Sequence, residues 1–203
     1  MKTVFKSAMV LLAGVIIFSS FASSGYRVGD KADDFKLKNV DGKMVSLADY
    51  NDAKGFIVIF TCNHCPYAKA YEQRIMDLDK KYKALGFPVI AISSNDATVI
   101  QDDSYNNMVI RAKEKGYTFP YLFDETQQVA RKFGAMKTPH VFVLSKMPKG
   151  NEVKYIGAID DNTEDASLAQ HHYVEDAVNA LLQGKDVPVT ETKAIGCTIK
   201  WKS

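Results

Sequence analysis

The sequence predicts an α/β domain, a mixed central β-sheet flanked by helices with an N-terminal hairpin extension, and three observations predict it. Residues 56–60 form an apolar run with three β-branched members, as in a strand buried on both faces. Two cysteines three apart follow, and then Ala68, Tyr71, Ile75, Leu78, Tyr82 and Leu85 step by three and four along one face of a long amphipathic helix. Strands alternate with helices early in the chain and pair as a hairpin late, which is the pattern of a mixed sheet.

Each element follows in order. Residues 26–34 read as an arm. Alternating apolar residues at 35–38 and 44–47 flank Asp41-Gly42, a hairpin signal. Residues 49–55 form a loop into the central strand. The long helix stops at Gly86, and residues 87–92 read as a second buried strand. Residues 93–107 are polar, a loop with a short helix inside it. A second helix spans 108–115 and stops at Gly116. A short strand at 119–123 and a helix at 125–133, ended by Gly134, come next. Strands at 140–144 and 153–156 enclose a turn at 146–151, and 160–165 is an acidic loop. A closing helix at 168–183 turns Tyr173, Val174, Ala177, Val178 and Leu181 inward, with Gly184 as its cap. There is no internal repeat and no low-complexity segment.

Composition bounds the function. With 203 residues, 46% of them hydrophobic and 25% charged, the chain suits one globular domain. A formal charge of +2 gives no electrostatic reason to propose nucleic acid as a partner. Three cysteines are too few for a disulfide scaffold.

Lys2 and Lys6 precede an apolar run from 8 to 18 and a small, polar stretch from 19 to 24, the pattern of a secretory signal peptide cleaved near Ala22–Ser24. The apolar run is short for a membrane span, so contact with the membrane is expected only in transit. Removing residues 1–24 leaves 24 basic against 24 acidic residues. The division is then a signal at 1–24, a domain at 25–190 and a tail at 191–203. Export, most simply to a bacterial periplasm, places the thiols where disulfides persist.

The strand, Cys62-x-x-Cys65 and helix order carries the chemistry. A helix N-terminus holds about half a positive charge and favours a thiolate over a thiol. Cys62 is expected at that terminus and nearer solvent, with Cys65 one turn in. A zinc site would ask for a second ligand pair at knuckle spacing; no second Cys-x-x-Cys or His-x-x-x-His exists, so the redox reading is favoured and no metal is assigned.

These residues resemble the thioredoxin-like superfamily, and within it the peroxiredoxin-like AhpC/TSA branch, over about residues 28–183. Three pieces carry the resemblance: Phe60-Thr61-Cys62-Asn63-His64-Cys65-Pro66 after a strand, Lys137-Thr138-Pro139-His140 before a strand, and Gly157 after the hairpin. It implies a thioredoxin-like fold, a cis bond at Pro139 opposite the cysteines, and Thr138 as a residue that pairs with bound substrate backbone. Thr61 stands where thioredoxins have Trp, and Asn63-His64 where they have Gly-Pro. The peroxiredoxin pattern places Thr or Ser three residues before the reactive cysteine; here Cys62 holds that position relative to Cys65, and Ile59 relative to Cys62.

The expected function is thiol–disulfide exchange with partner proteins and a redox donor or acceptor, without a dissociable cofactor. Cys62 attacks and Cys65 resolves the mixed disulfide. His64 resembles the histidine inside the pair of DsbA-type oxidases, where it would stabilise the Cys62 thiolate; the alternative is a solvated loop histidine. Pro66 suits the first helical turn. No acid lies within 56–60, and Glu72 reads as a solvated face residue. Cys197 is either a third thiol on a mobile tail or a packed thiol, docked by Ile195, Ile199 and Trp201. His171 and His172 read as surface residues, His140 as core-edge, and Asp102, Asp103 and Tyr105 as loop. A thiol peroxidase and a copper-handling protein of this fold remain the rival functions, the second without an obvious distal histidine.

Overall fold

The computed structural model describes residues 25–203; the expected signal segment at 1–24 lies outside the described residues. Ten strands form, β1 Lys31–Ala32, β2 Lys36–Asn39, β3 Met44–Ser46, β4 Gly55–Phe60, β5 Val89–Ser93, β6 Tyr121–Phe123, β7 Lys137–Thr138, β8 His140–Met147, β9 Gly150–Gly157 and β10 Cys197–Thr198. Four α-helices join them, α1 Pro66–Tyr82, α2 Tyr105–Lys115, α3 Gln128–Phe133 and α4 Tyr173–Leu182. Eight strands make one mixed sheet in the order β1-β9-β8-β4-β5-β6-β2-β3, and β10 pairs with β7 apart from it. The three strands β4, β5 and β6 run parallel; on one side β8 pairs antiparallel with β4 and β9 antiparallel with β8, and the β2–β3 hairpin closes the other side, β2 antiparallel to β6. This is the thioredoxin-like α/β fold with an N-terminal hairpin.

The central strand is buried because each of its faces meets a different layer. Ile57 and Ile59 pack with Tyr71, Ile75 and Leu78 of α1 and with Val174 and Val178 of α4. Phe56, Val58 and Phe60 face the other way, onto Phe133, Phe142 and, from the tail, Ile199. Each such side chain contributes roughly 1.5–3 kcal/mol on full burial, so this crossing of layers anchors the end of β4 that leads into the cysteines.

The structure adds detail where the sequence reading was coarse. The arm at 26–34 contributes an edge strand, β1, to the sheet. The late hairpin is longer and tighter than expected, with β8 and β9 separated only by residues 148–149. Helix α2 begins three residues earlier, after Ser104 in extended geometry, and ends at Gly116 with φ of 67°, a left-handed conformation that suits glycine. Helix α3 begins only at Gln128, because Gln127 takes φ of 60° and the Asp124 carboxylate accepts the Ala130 N–H at 2.9 Å. Helix α4 begins at Tyr173 rather than 168; residues 166–168 form a separate 3₁₀ turn capped by Asp165. The acidic loop is partly internal, since Asp160 is buried against Arg74 at 2.7 Å and Tyr71 Oη at 2.9 Å.

Candidate functional site

Pro66 decides where helix α1 starts. It has no N–H to lose and a fixed φ suited to the first helical position, so Cys65 becomes the N-cap in extended conformation (φ −64°, ψ 126°). The helix N-terminus therefore acts on Cys65. The expectation that put Cys62 there is corrected: Cys62 sits one turn ahead, in the loop that leaves β4. Thr61 is buried beneath this loop and is held through its backbone, N–H to the Ile92 carbonyl at 2.9 Å.

Both sulfurs are buried, Cys62 with 5% of its surface exposed and Cys65 with none. Opposite them runs the Thr138–Pro139 segment, whose peptide bond is cis as the resemblance implied. Thr138 touches both sulfurs, its Oγ1 lying 3.2 Å from Cys62 Sγ and its carbonyl oxygen 3.3 Å from Cys65 Sγ. The two thiols share a proton. The Cys62 hydrogen bond lowers the Cys65 thiol to about 4, helped by Cys197 and the Ala68 N–H at the helix start. The same bond pushes the Cys62 thiol up, with burial and the Asp103 charge adding to it. The helix start and the neighbouring thiols favour the charged form of the inner sulfur, while burial and the Asp103 charge disfavour it on the outer one.

Asp103 is the residue that sequence reasoning missed. It ends a 3₁₀ turn at Gln101–Asp103 and has no exposed side-chain surface. Its Oδ1 accepts the backbone N–H of Asn63 at 2.7 Å and of His64 at 3.1 Å, and its Oδ2 accepts from His64 Nδ1 at 2.6 Å and Asn95 Nδ2 at 2.8 Å. One carboxylate so fixes both residues between the cysteines. Asn63 is also tied on its side chain, which donates to the Asp102 carbonyl at 2.8 Å and accepts from Tyr121 Oη at 3.0 Å. His64 is consequently an anchored residue rather than a solvated loop histidine, with 19% of its side chain exposed. Loop 93–107 gave no sequence signal for this, because its partners lie about forty positions upstream.

A metal could be held only by donors still free to bind it. Among the described residues, Cys62, His64 and Asp103 bring one ligand atom each within 4.8 Å of one another. The four hydrogen bonds just described already fill the lone pairs of Asp103, and one of them uses His64 Nδ1. The cluster fits a hydrogen-bonded clamp better than a metal centre.

Other expectations resolve differently. Glu72 is not solvated: it is buried on α1 and accepts from Arg111 Nε at 2.8 Å and from the Tyr117 hydroxyl, with Lys115 Nζ at 3.3 Å. His171 and His172 precede α4 and are exposed. His140, just after Pro139, is buried; burial alone lowers it to about 4, so it is neutral in the fold. A histidine favoured neutral on folding gives stability that is fully present above its unfolded value near 6.5 and lost as pH falls towards about 4. Acidification to pH 4 should therefore cost about 3 kcal/mol through this residue. Urea unfolding at pH 7 and pH 4 measures it, and His140→Gln should flatten that dependence; an unchanged pH dependence would refute the assignment.

Cys197 is half-buried and comes to the site with β10, where it packs against Cys62, Cys65 and Ala68. Burial and the nearby Cys65 sulfur push its thiol up to about 11. The tail is thus docked, as one of the two sequence alternatives held, and it is docked with its thiol at the cysteine pair.

Comparison with known proteins agrees with this picture. The profile of the AhpC/TSA family matches residues 28–155. The thiol-disulfide oxidoreductase ResA of Oceanobacillus iheyensis is 30% identical over 151 residues, covering 68% of this chain and 74% of that protein. The crystal structure of an uncharacterized conserved protein from Geobacillus kaustophilus superposes with a TM-score of 0.80 at 37% identity, covering 87% of this chain and 93% of the other. A hypothetical protein from Sinorhizobium meliloti 1021 gives a TM-score of 0.81 at 32% identity, covering 88% and 97%.

Proposed function

We propose that this chain, which belongs to the AhpC/TSA family, is a thiol–disulfide oxidoreductase that exchanges disulfides with partner proteins through Cys62 and Cys65. The observation that carries the reading is the pairing of two sulfurs at the start of α1, both touching Thr138, with the residual exposure on the outer one.

The sequence of steps follows from that arrangement. As Cys62 approaches a substrate disulfide its proton passes to Cys65, and the Thr138 hydroxyl donates to the Cys62 sulfur as charge develops on it. Cys62 bonds to one substrate sulfur, and the other leaves as a thiolate. Cys65 then passes the proton to the departed substrate thiolate and attacks Cys62, forming the Cys62–Cys65 disulfide and releasing the second substrate sulfur as a thiolate. The resolving sulfur at the helix start keeps the mixed disulfide short-lived. Run backwards, the same steps donate a disulfide. Pro139 stands beside the sulfurs without an N–H to compete for them.

Export belongs to the same reading. Residues 1–24 carry the charge and hydropathy pattern of a secretory signal, and the relative named above is a thiol-disulfide oxidoreductase. Among the described residues no helix is long and apolar enough to cross a membrane. A periplasmic site of action and a separate redox donor or acceptor are parts of the proposal.

One observation favours a second reading, a thiol peroxidase. The hydroxyl missing three positions before either cysteine is supplied to Cys62 from across the site by Thr138. Equilibration in glutathione and dithiothreitol buffers with mass-spectrometric readout separates the two. Exchange predicts a Cys62–Cys65 disulfide with a midpoint between about −270 and −120 mV. No such disulfide at any poise, with rapid peroxide consumption by the reduced protein, would replace exchange by peroxidase chemistry.

A further inference from the structure

Exchange needs two thiols, and the site contains three. The third arrives through a designed-looking approach of the tail to the active-site segment: β10 runs antiparallel to β7 with Cys197 opposite Thr138. Gly196 permits it, since a Cβ there would lie 2.1 Å from the Thr138 carbonyl oxygen and 3.2 Å from the Pro139 nitrogen. Downstream the tail is clamped. The Ile199 N–H donates to the Met136 carbonyl at 3.0 Å and its side chain enters the core. The Lys200 carbonyl accepts from Gln127 Nε2 at 2.7 Å and the Asp96 N–H at 2.9 Å, and its own N–H donates to Asn95 Oδ1 at 2.8 Å. Asn95 is the same residue that donates to Asp103, so the tail and the cysteine loop rest on one network. At the end of this approach Cys197 packs against the buried cluster of Cys62, Cys65 and Ala68.

We propose that Cys197 is an intramolecular exchange partner of the pair, attacking Cys65 of the Cys62–Cys65 disulfide to form Cys65–Cys197. One S–S bond breaks and one forms, no net oxidation occurs, and the proton lost by Cys197 goes to the departing Cys62 sulfur. The step rests on the exchange chemistry proposed above. Its result is a second oxidised state in which the disulfide is stored inward, the tail is fastened across β7, and Cys62 is again a free thiol. A partner disulfide can then be attacked without prior reduction of the stored one, and a partner strand that pairs with β7 must first displace β10.

The test uses the full mature chain, oxidised to one disulfide per molecule in glutathione buffer, quenched in acid, alkylated and digested with trypsin. Cys62 and Cys65 lie on the fragment 55–69, and Cys197 on the fragment 194–200. The wild type should yield both the internally bridged 55–69 fragment and a 55–69/194–200 linked species whose share does not change with protein concentration. In Cys62→Ser the linked species should be the sole intramolecular disulfide. In Gly196→Val the added bulk should displace the tail and lower the linked share by about tenfold, with the internal bridge retained. Only Cys62–Cys65 in the wild type, together with no linked species in Cys62→Ser, would overturn the third-thiol step and leave the exchange reading standing. A linked species without any Cys62–Cys65 bond in the wild type would overturn the step along with the exchange reading on which it rests.

Discussion

Serine at Cys62 is expected to lower the rate of disulfide reduction by several orders of magnitude, because the oxygen replacing its sulfur can neither attack a disulfide nor leave as a stabilised anion. Serine at Cys65 should act differently. Cys62 is the outer sulfur, so attack persists, but nothing resolves the product and a mixed disulfide accumulates. Insulin reduction measures the first effect. Mass spectrometry after incubation with a peptide disulfide measures the second, where one peptide should be held per Cys65→Ser protein. The Cys197 thiol lies next to position 65, so the trap is cleanest in Cys65→Ser combined with Cys197→Ala. If the peptide is trapped by Cys62→Ser and not by the Cys65 variant, the two roles are reversed.

Removing the carboxylate of Asp103 should be the most damaging change outside the cysteines. Asp103→Ala leaves the backbone N–H groups of Asn63 and His64 without their acceptor in a buried site and frees the His64 ring. Losses of this kind cost about 3–5 kcal/mol, read as a fall in the urea midpoint at unchanged slope. Asp103→Asn separates charge from shape. The Asp103 charge is one of the causes that hold the Cys62 thiol up, so neutralising it should bring that thiol down. Thiolate absorbance followed against pH in Cys65→Ser and in Cys65→Ser/Asp103→Asn isolates the outer sulfur. A Cys62 titration that stays put or moves upward would show that Asp103 acts on the loop by geometry alone.

Much of the fold was legible because local pattern and tertiary role coincide. The apolar run at 56–60 reads as a buried strand and is one, and Pro66 followed by a three-and-four apolar stripe reads as the start of a helix and is one. Boundaries failed where side chains from elsewhere override local preference. Asp124 delays α3 by supplying its N-terminal acceptor, and pairing with β9 turns the expected arm into β1. Glu72 shows the same limit for single residues. Its position on the helix reads as polar surface until Arg111 and Tyr117, about forty residues on, fold over it.

For the site, the sequence by itself determined the cysteine pair and its place between strand and helix, because these are short-range spacings with fixed stereochemical consequences; that the Thr138–Pro139 segment faces the pair came from the family resemblance. Tertiary structure decided which sulfur meets the helix N-terminus, which carboxylate holds the loop between the cysteines, and where the tail lies. Cys65 caps the helix through one proline, Asp103 reaches the loop across 39 and 40 positions, and Cys197 reaches Thr138 across 59. Contacts of that range are set by the packing of whole layers, and no periodicity or motif in a single chain encodes them.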